Sequence, residues 1–314
     1  MQRIVSVSLG SSKRNSRVEV NILNRDFVIE RVGTDGDIRK AISLIKEMDG
    51  KVDAFGMGGI DLFITAGKRR YAFRDALKIA GAAKKTPIVD GTGLKNTLER
   101  KVINDLANTG YFKWEDTKVF LVSGADRFGM AQAFTENKAQ IIFGDLMVAL
   151  GLPLPITSLS ALERLAYIVA PLICKLPFQY LYPTGKKQGR SYPRFRKYYE
   201  WADVIAGDFH YIWKYMPDSL KNKSIVTNTI TKNDIEEIKK RGAKFLITTT
   251  PELDGRSFGT NVMEALMVVL IGKKPEEIKT EEYLSILDAV KFRPRVIDFS
   301  LEDSRNDKCA EGDG

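Results

Sequence analysis

The sequence predicts an α/β protein: an N-terminal small α/β domain followed by a Rossmann-like doubly wound parallel-sheet domain. Three observations predict it. Short apolar runs with strand character alternate with runs of helical periodicity along most of the chain. The run Val119–Val122 enters a glycine turn, Gly124 to Gly129, and is followed by a helix, a second strand and an acid at 145. The composition is that of an ordinary globular protein, 44% hydrophobic and 28% charged over 314 residues, which excludes a disordered chain or a fibrous repeat.

The elements follow in order. Val5, Val7 and Leu9 alternate with serines and predict a half-buried strand; Val18, Val20 and Ile22 predict another. Leu23-Asn24-Arg25-Asp26 predicts a hairpin turn, with the chain returning from Phe27 to Val32. Thr34, Asp35 and Asp37 offer caps to a helix carrying Ile38, Ala41, Ile42, Ile45 and Met48, stopped by Gly50. Residues 52–55 predict a strand entering a turn at Gly56-Met57-Gly58-Gly59, then a strand over 60–65 and a helix over 74–83. A short strand, 87–89, ends in Asp90-Gly91-Thr92-Gly93, and Leu94, Leu98, Val102, Ile103 and Leu106 make the next helix amphipathic.

The domain boundaries predicted are 1–110, 111–299 with an apolar helical insert at about 146–200, and a polar tail over 300–314. In the last third, strands over 203–206, 224–227 and 244–250 alternate with helices over 233–241 and 260–271. The stretch from Leu159 to Tyr182 is apolar but broken by Glu163, Arg164, Pro171, Lys175 and Pro177, so it predicts no membrane span and instead a surface for homo-oligomers. Two cysteines, Cys174 and Cys309, form no disulfide framework or zinc spacing, and the N-terminus enters a strand directly; both fit a cytoplasmic protein. The net charge of +9 is spread over the chain, with its densest basic cluster from Lys186 to Lys197 among aromatic residues. No nucleic-acid motif accompanies it, so nucleic acid is not the expected partner, and a small anionic metabolite is.

Four groups of residues bear chemistry. In the glycine turn, Gly124 and Gly129 hold the first and third positions of a dinucleotide fingerprint, with Asp126 in the middle one beside Arg127 and Phe128. Helix N–H groups there suit a diphosphate. Asp145, at the place of the ribose-binding acid, favours NAD over NADP, which stays open as the other cofactor. Past the ends of parallel strands stand Asp208, Thr227, Asn228 and Thr229, further cofactor-side candidates, and His210, the one histidine, with a side chain able to move a proton near neutral pH. Asp90 and Lys95 flank a helix start and suit proton transfer. Gly58 and Gly59 of the run Gly56-Met57-Gly58-Gly59, with Asp61, line the same cleft or make a strand bend, and Ser11 and Ser12 of the turn Gly10-Ser11-Ser12-Lys13-Arg14 suit a substrate carboxylate or phosphate. No metal site is expected.

The order of units, with Val119-Phe120-Leu121-Val122-Ser123-Gly124, resembles the quinate/shikimate 5-dehydrogenase group. Residues 52–61, 87–100, 202–210 and 248–261 resemble bacterial proteins labelled quinate 5-dehydrogenase. The resemblance implies NAD(P)-dependent oxidation of a small hydroxy acid, with Lys95 and Asp90 as acid/base pair and Ser11 and Ser12 as the carboxylate-holding serines. The family's Asn-Val-Thr-x-Pro-x-Lys stretch is absent. Two other readings stand beside it: a phosphotransferase or actin- or sugar-kinase-like ATP-binding protein, suggested by the N-terminal strand, Gly-Ser-Ser loop and hairpin, and a non-catalytic metabolite-binding protein on a Rossmann scaffold.

Overall fold

The structure, a computed structural model, describes residues 1–66, 69–177, 193–228, 230–250, 252–253, 256–257 and 259–300. The first sheet contains β1 (Gln2–Ser8), β2 (Ser16–Ile22), β3 (Arg25–Gly33), β4 (Ala54–Gly58) and β7 (Ile88–Val89), in the order β2-β3-β1-β4-β7. All its pairings are parallel except the edge hairpin β2–β3. Leu23 and Asn24, both with positive φ (51° and 59°), make the two-residue turn of that hairpin. Strand β1 is central and buried on both faces, so Ile4, Val5 and Val7 are enclosed although the sequence alternates. Helix α1 (Ile38–Met48) starts on the Asp37 side chain, which accepts from the Lys40 amide.

The glycine run predicted as a turn is mostly strand. β4 runs through Gly56 to Gly58, because bare backbone is what fits there: a Cβ on Gly56 would stand 3.0 Å from the Asn261 carbonyl oxygen, and one on Gly58 3.0 Å from the Ser8 side chain. The turn begins only at Gly59, with φ +75°. Beyond it, β5 (Phe63–Ala66) and β6 (Arg69–Ala72) form a separate antiparallel hairpin, followed by α2 (Arg74–Ala80).

The second sheet has the order β13-β12-β11-β10-β8-β9, built from β8 (Lys118–Leu121), β9 (Gln140–Phe143), β10 (Val204–Gly207), β11 (Ser224–Thr227), β12 (Phe245–Thr248) and the antiparallel edge β13 (Arg295–Asp298). The chain leaves β8 toward β9 on one side and continues through β10 to β12 on the other. The point between β8 and β10 is therefore the switch point at which open α/β sheets bind ligands. Helices α3 (Thr92–Asn108), α4 (Phe128–Glu136), α5 (Asp145–Leu150), α6 (Leu159–Ile173), α7 (Arg196–Trp201), α8 (Phe209–Tyr215) and α9 (Lys232–Lys240) cover it or join it to the first sheet. The basic segment is only partly described. Its end, α7, buries Tyr198 and Tyr199 against Phe120.

Two further helices are α10 (Thr260–Ile271) and α11 (Thr280–Ala289). Helix α10 lies on the first sheet, where Asn261 Nδ2 donates to Ser6 Oγ at 2.8 Å. Its face fits because Gly56 and Gly91 offer no side chain; a Cβ on Gly91 would come within 2.7 Å of the Asn261 nitrogen. In α6, Ile168 and Leu172 are 70% and 65% exposed, so this helix keeps an apolar outer stripe. Among the described residues no helix is long and apolar enough to cross a membrane.

Candidate functional site

The glycine turn lies at the switch point, as its sequence requires, but its amides are already engaged. The Gly124 N–H donates to Asp145 Oδ2 at 2.9 Å and the Ala125 N–H to Asp145 Oδ1 at 2.8 Å. Burial pushes the Asp145 carboxyl up to about 6, against the pull of those amides. A carboxylate from the end of β9 thus sits on the N–H groups that would hold a diphosphate. The space beside Gly124 is filled as well, since a Cβ there would come within 2.6 Å of the Phe143 ring and 2.8 Å of Leu162. Gly129 serves helix packing: its added Cβ would lie 2.6 Å from the Asn96 backbone, and its N–H donates to Asn96 Oδ1 at 3.0 Å. The glycines expected to admit a cofactor instead admit α6 and α3, and Asp145 caps the turn rather than standing open to a ribose.

Beside the turn lies a buried charge cluster. Lys95 Nζ donates to Asp126 Oδ1 at 2.7 Å and stands 3.5 Å from Asp61 Oδ1. Burial opposes the ammonium charge, but Asp126 and Asp61 outweigh it and hold the lysine above its usual range. Burial likewise works against the Asp126 charge and is outweighed by Lys95 and Arg127, so this carboxyl lies below the usual range. Burial pushes Asp61 up to about 7, with Lys95 pulling the other way. Asp126 therefore faces Lys95.

Arg127 ties the turn to both neighbouring helices. It binds Glu99 of α3 by a short contact and Asp208 Oδ2 at 2.9 Å, and its Nε lies 3.1 Å from Asp126 without hydrogen-bond alignment. Burial raises the Glu99 carboxyl above its usual range. In Asp208 the opposing burial is outweighed by Arg127, and its carboxyl is lowered. Asp208 also accepts from Asn228 Nδ2 at 2.9 Å and from the His210 amide at 2.9 Å, as N-cap of α8. Phe128 is buried beside this cluster.

The remaining candidates separate. Asp90 is not paired with Lys95, as the acid/base expectation required; it accepts from the Leu62 amide at 2.5 Å, the Thr92 amide at 3.0 Å and Thr92 Oγ1 at 2.6 Å, fixing the hairpin base to the start of α3. His210 is exposed on the first turn of α8. Thr227 Oγ1 donates to the Gly207 carbonyl at 2.8 Å, a link between strands. Thr229 lies outside the described residues. Ser11 and Ser12 are spent on their own turn: Ser11 Oγ accepts from Lys13, and the Ser12 amide donates to Asp35. Gly58 and Gly59 serve close backbone approach beside Ser8 and Gly10. Among the described residues no group of three or more His, Cys, Asp or Glu side chains is placed to hold a metal ion.

Sequence reasoning missed Asn96, Glu99 and Glu264. Glu264 was detectable as the single charge in the apolar run Val262–Ile271, since a buried acid needs partners. It accepts from the Gly91 amide at 2.7 Å and from Tyr283 OH at 3.1 Å. Burial pushes it up to about 8, helped by Asp90. Glu99 had a weaker signal, its i,i+4 spacing from Lys95 on the same helix.

The fold and site define a two-sheet α/β protein with a charged seam between its sheets. The chain belongs to the family described as Domain of unknown function (DUF8754), whose model matches residues 93–299; residues 3–90 match Domain of unknown function (DUF8753). No curated protein matches the sequence. Similar solved structures include an NAD-dependent malic enzyme from Thermotoga maritima (14% identity, 92% of this chain and 84% of that one, TM-score 0.37). A galactofuranose binding protein is similar too (12% identity, 98% of both chains, TM-score 0.40). So is L-tryptophan dehydrogenase from Nostoc punctiforme (11% identity, 92% of this chain and 78% of that one, TM-score 0.37).

Proposed function

We propose that this chain is a two-domain metabolite-binding protein on a dehydrogenase-type scaffold, with its site at the seam where Lys95, Asp61 and Asp126 meet. One observation carries the reading: the two turn amides suited to a diphosphate are taken by Asp145, and the adjoining corner is filled by Phe143 and Leu162. The polar groups that converge on a crevice lie instead around Lys95. The test is thermal melting with NAD, NADP, ATP with magnesium, and a panel of small hydroxylated metabolites, since a ligand of the native state raises the melting temperature by mass action. A rise with a metabolite and none with the nucleotides is expected. A rise with NAD or NADP alone overturns the reading.

A second reading is an NAD(P)-dependent oxidoreductase of the quinate/shikimate dehydrogenase type, acting on a small anionic hydroxy acid. The observation favouring it is the Lys95–Asp126 pair at 2.7 Å directly beside the glycine turn, a group able to exchange a proton with a substrate hydroxyl. It requires Asp145 to leave the turn amides on cofactor binding. NADH absorbance with quinate, shikimate and related acids tests it, and turnover would replace the first reading with this one. The exposed stripe of α6 suits a homo-oligomer, which light scattering on the eluting protein measures directly.

A further inference from the structure

The segment that leads from the end of α5 back to the edge of the second sheet carries its apolar side chains in water. Leu150, Leu152 and Leu154 are 59%, 44% and 54% exposed, and a cluster of exposed apolar side chains marks an interaction site. No charged residue occurs from Leu146 to Leu162. The backbone is prepared to lose its water as well. The Gly151 N–H donates to the Met147 carbonyl at 3.0 Å, that of Leu152 to Leu146 at 3.2 Å, that of Leu154 to Leu152 at 2.8 Å and that of Ile156 to Phe143 at 3.2 Å. Pro153 and Pro155 have no N–H to satisfy, and the Pro153 carbonyl accepts from Tyr198 OH at 2.9 Å. Donors matched within the protein remove much of the cost of entering an apolar phase.

Cations border these leucines. A Cβ on Gly151, between Leu150 and Leu152, would stand 3.6 Å from Arg194 Nη1. Arg194 lies over the Phe195 ring at 5.2 Å and Lys197 over the Tyr198 ring at 4.8 Å. Both cations are exposed, and neither has a carboxylate within ion-pair distance among the described residues. The neighbouring acid, Glu200, is matched by Arg196 at 2.6 Å. The patch is therefore apolar at its centre and positive at its border. A second copy docked face to face would set these cations against their own kind. An anionic lipid surface complements both parts, since its headgroups attract the cations and its acyl boundary accepts the leucines. We propose that residues 150–154, with Arg194 and Lys197, form a docking surface for an anionic phospholipid bilayer, the leucines entering the interface and the cations staying at headgroup level.

Flotation of the full chain with vesicles of phosphatidylcholine alone, and of phosphatidylcholine with about 30 mol% phosphatidylserine, tests this. Binding to the mixed vesicles and little to the neutral ones is expected, weakening as sodium chloride rises from about 0.1 M to about 0.5 M. Leu152→Ser combined with Leu154→Ser should weaken binding at least about tenfold, because the leucines supply its hydrophobic share. Arg194→Gln combined with Lys197→Gln should weaken it about tenfold. Leu77→Ser, at a leucine 49% exposed on α2, should leave it unchanged. Melting of each variant establishes that it folds, and all the replaced side chains are exposed. Absence of binding to the mixed vesicles overturns the proposal, as does equal binding to both vesicle types. Binding undiminished in the folded leucine variant overturns it too, since charge attraction alone would then suffice, as does an equal loss in Leu77→Ser. If light scattering shows a complex between copies that the leucine variant abolishes, while vesicles are ignored, the occupant is a second copy and the proposal falls.

Discussion

Asp145 decides what the glycine turn can do, because one carboxylate satisfies two backbone donors at 2.9 and 2.8 Å. Replacing it by alanine leaves both donors without that partner, so Asp145→Ala is expected to lose roughly 1–3 kcal/mol in urea unfolding. The same change clears the anion position. Phosphate or sulfate at millimolar concentration should then raise the melting temperature of Asp145→Ala more than that of the parent chain; equal responses would mean that the amides never become available. Glu264 gives the pH prediction. Its carboxyl is raised from 4.5 to about 8 by burial, with Asp90, Tyr283 and the Gly91 and Gly93 amides around it. Between those values the folded state holds a proton that the unfolded state has released, so stability falls as pH rises through this range. The favourable contribution is complete below pH 4.5 and gone above about 8. Glu264→Gln should flatten this part of the stability–pH curve, read as melting temperatures from pH 5 to 9.

At the scale of elements, the crossing of α3 and α4 depends on a residue that has no side chain. Gly129→Ala would put a methyl group 2.6 Å from the Asn96 backbone, which has no rotamer with which to yield. A loss of about 1–3 kcal/mol is expected in urea unfolding, and an unchanged midpoint would mean that the helices separate freely. This glycine shows what the sequence reveals and what it hides. Strand, turn, helix, strand and acid were legible because period and punctuation are local properties. The use of the turn was not, because Asp145 at 21 residues from Gly124 has the same spacing whether it meets a ribose or folds onto the amides. Similarly, α10 was legible at both ends, Thr260 and Ile271, from its apolar run and the Gly272 stop. The sheet it covers was not: an all-apolar helix names no particular partner, and the information lay in Gly56 and Gly91, far away in the chain. At the site, Lys95 and Asp126 were legible as polar residues at helix starts, whereas their pairing with each other needed the crossing of α3 with α4.

For the whole molecule, the interleaving of segments sets the unfolding behaviour. Helix α3 follows the first sheet in sequence and packs on α4 of the second unit, while α10 returns from the second unit to cover β1 and β4. Arg25 of the first sheet donates to the Val269 and Leu270 carbonyls, and Glu264 holds the Gly91 amide, so each half completes the other's polar and apolar contacts. A chain whose halves are joined only by a linker would unfold in two steps; this arrangement couples them. Native-state hydrogen exchange should give similar opening free energies for the Val5 and Phe55 amides of the first sheet and the Ile205 and Ile225 amides of the second. The three tryptophans, Trp114, Trp201 and Trp213, all belong to the second half, so their fluorescence should trace the same urea transition as far-UV circular dichroism of the whole chain. A fragment of residues 1–110 should fail to unfold cooperatively, because without α10 the inner face of β1 and β4, including Ile4 and Ala54, lies open to water. An independently folding fragment, or a first sheet that exchanges well before the second, would show that the seam between the sheets is a surface contact, and that Lys95, Asp61 and Asp126 are held together by something other than the joint packing of both halves.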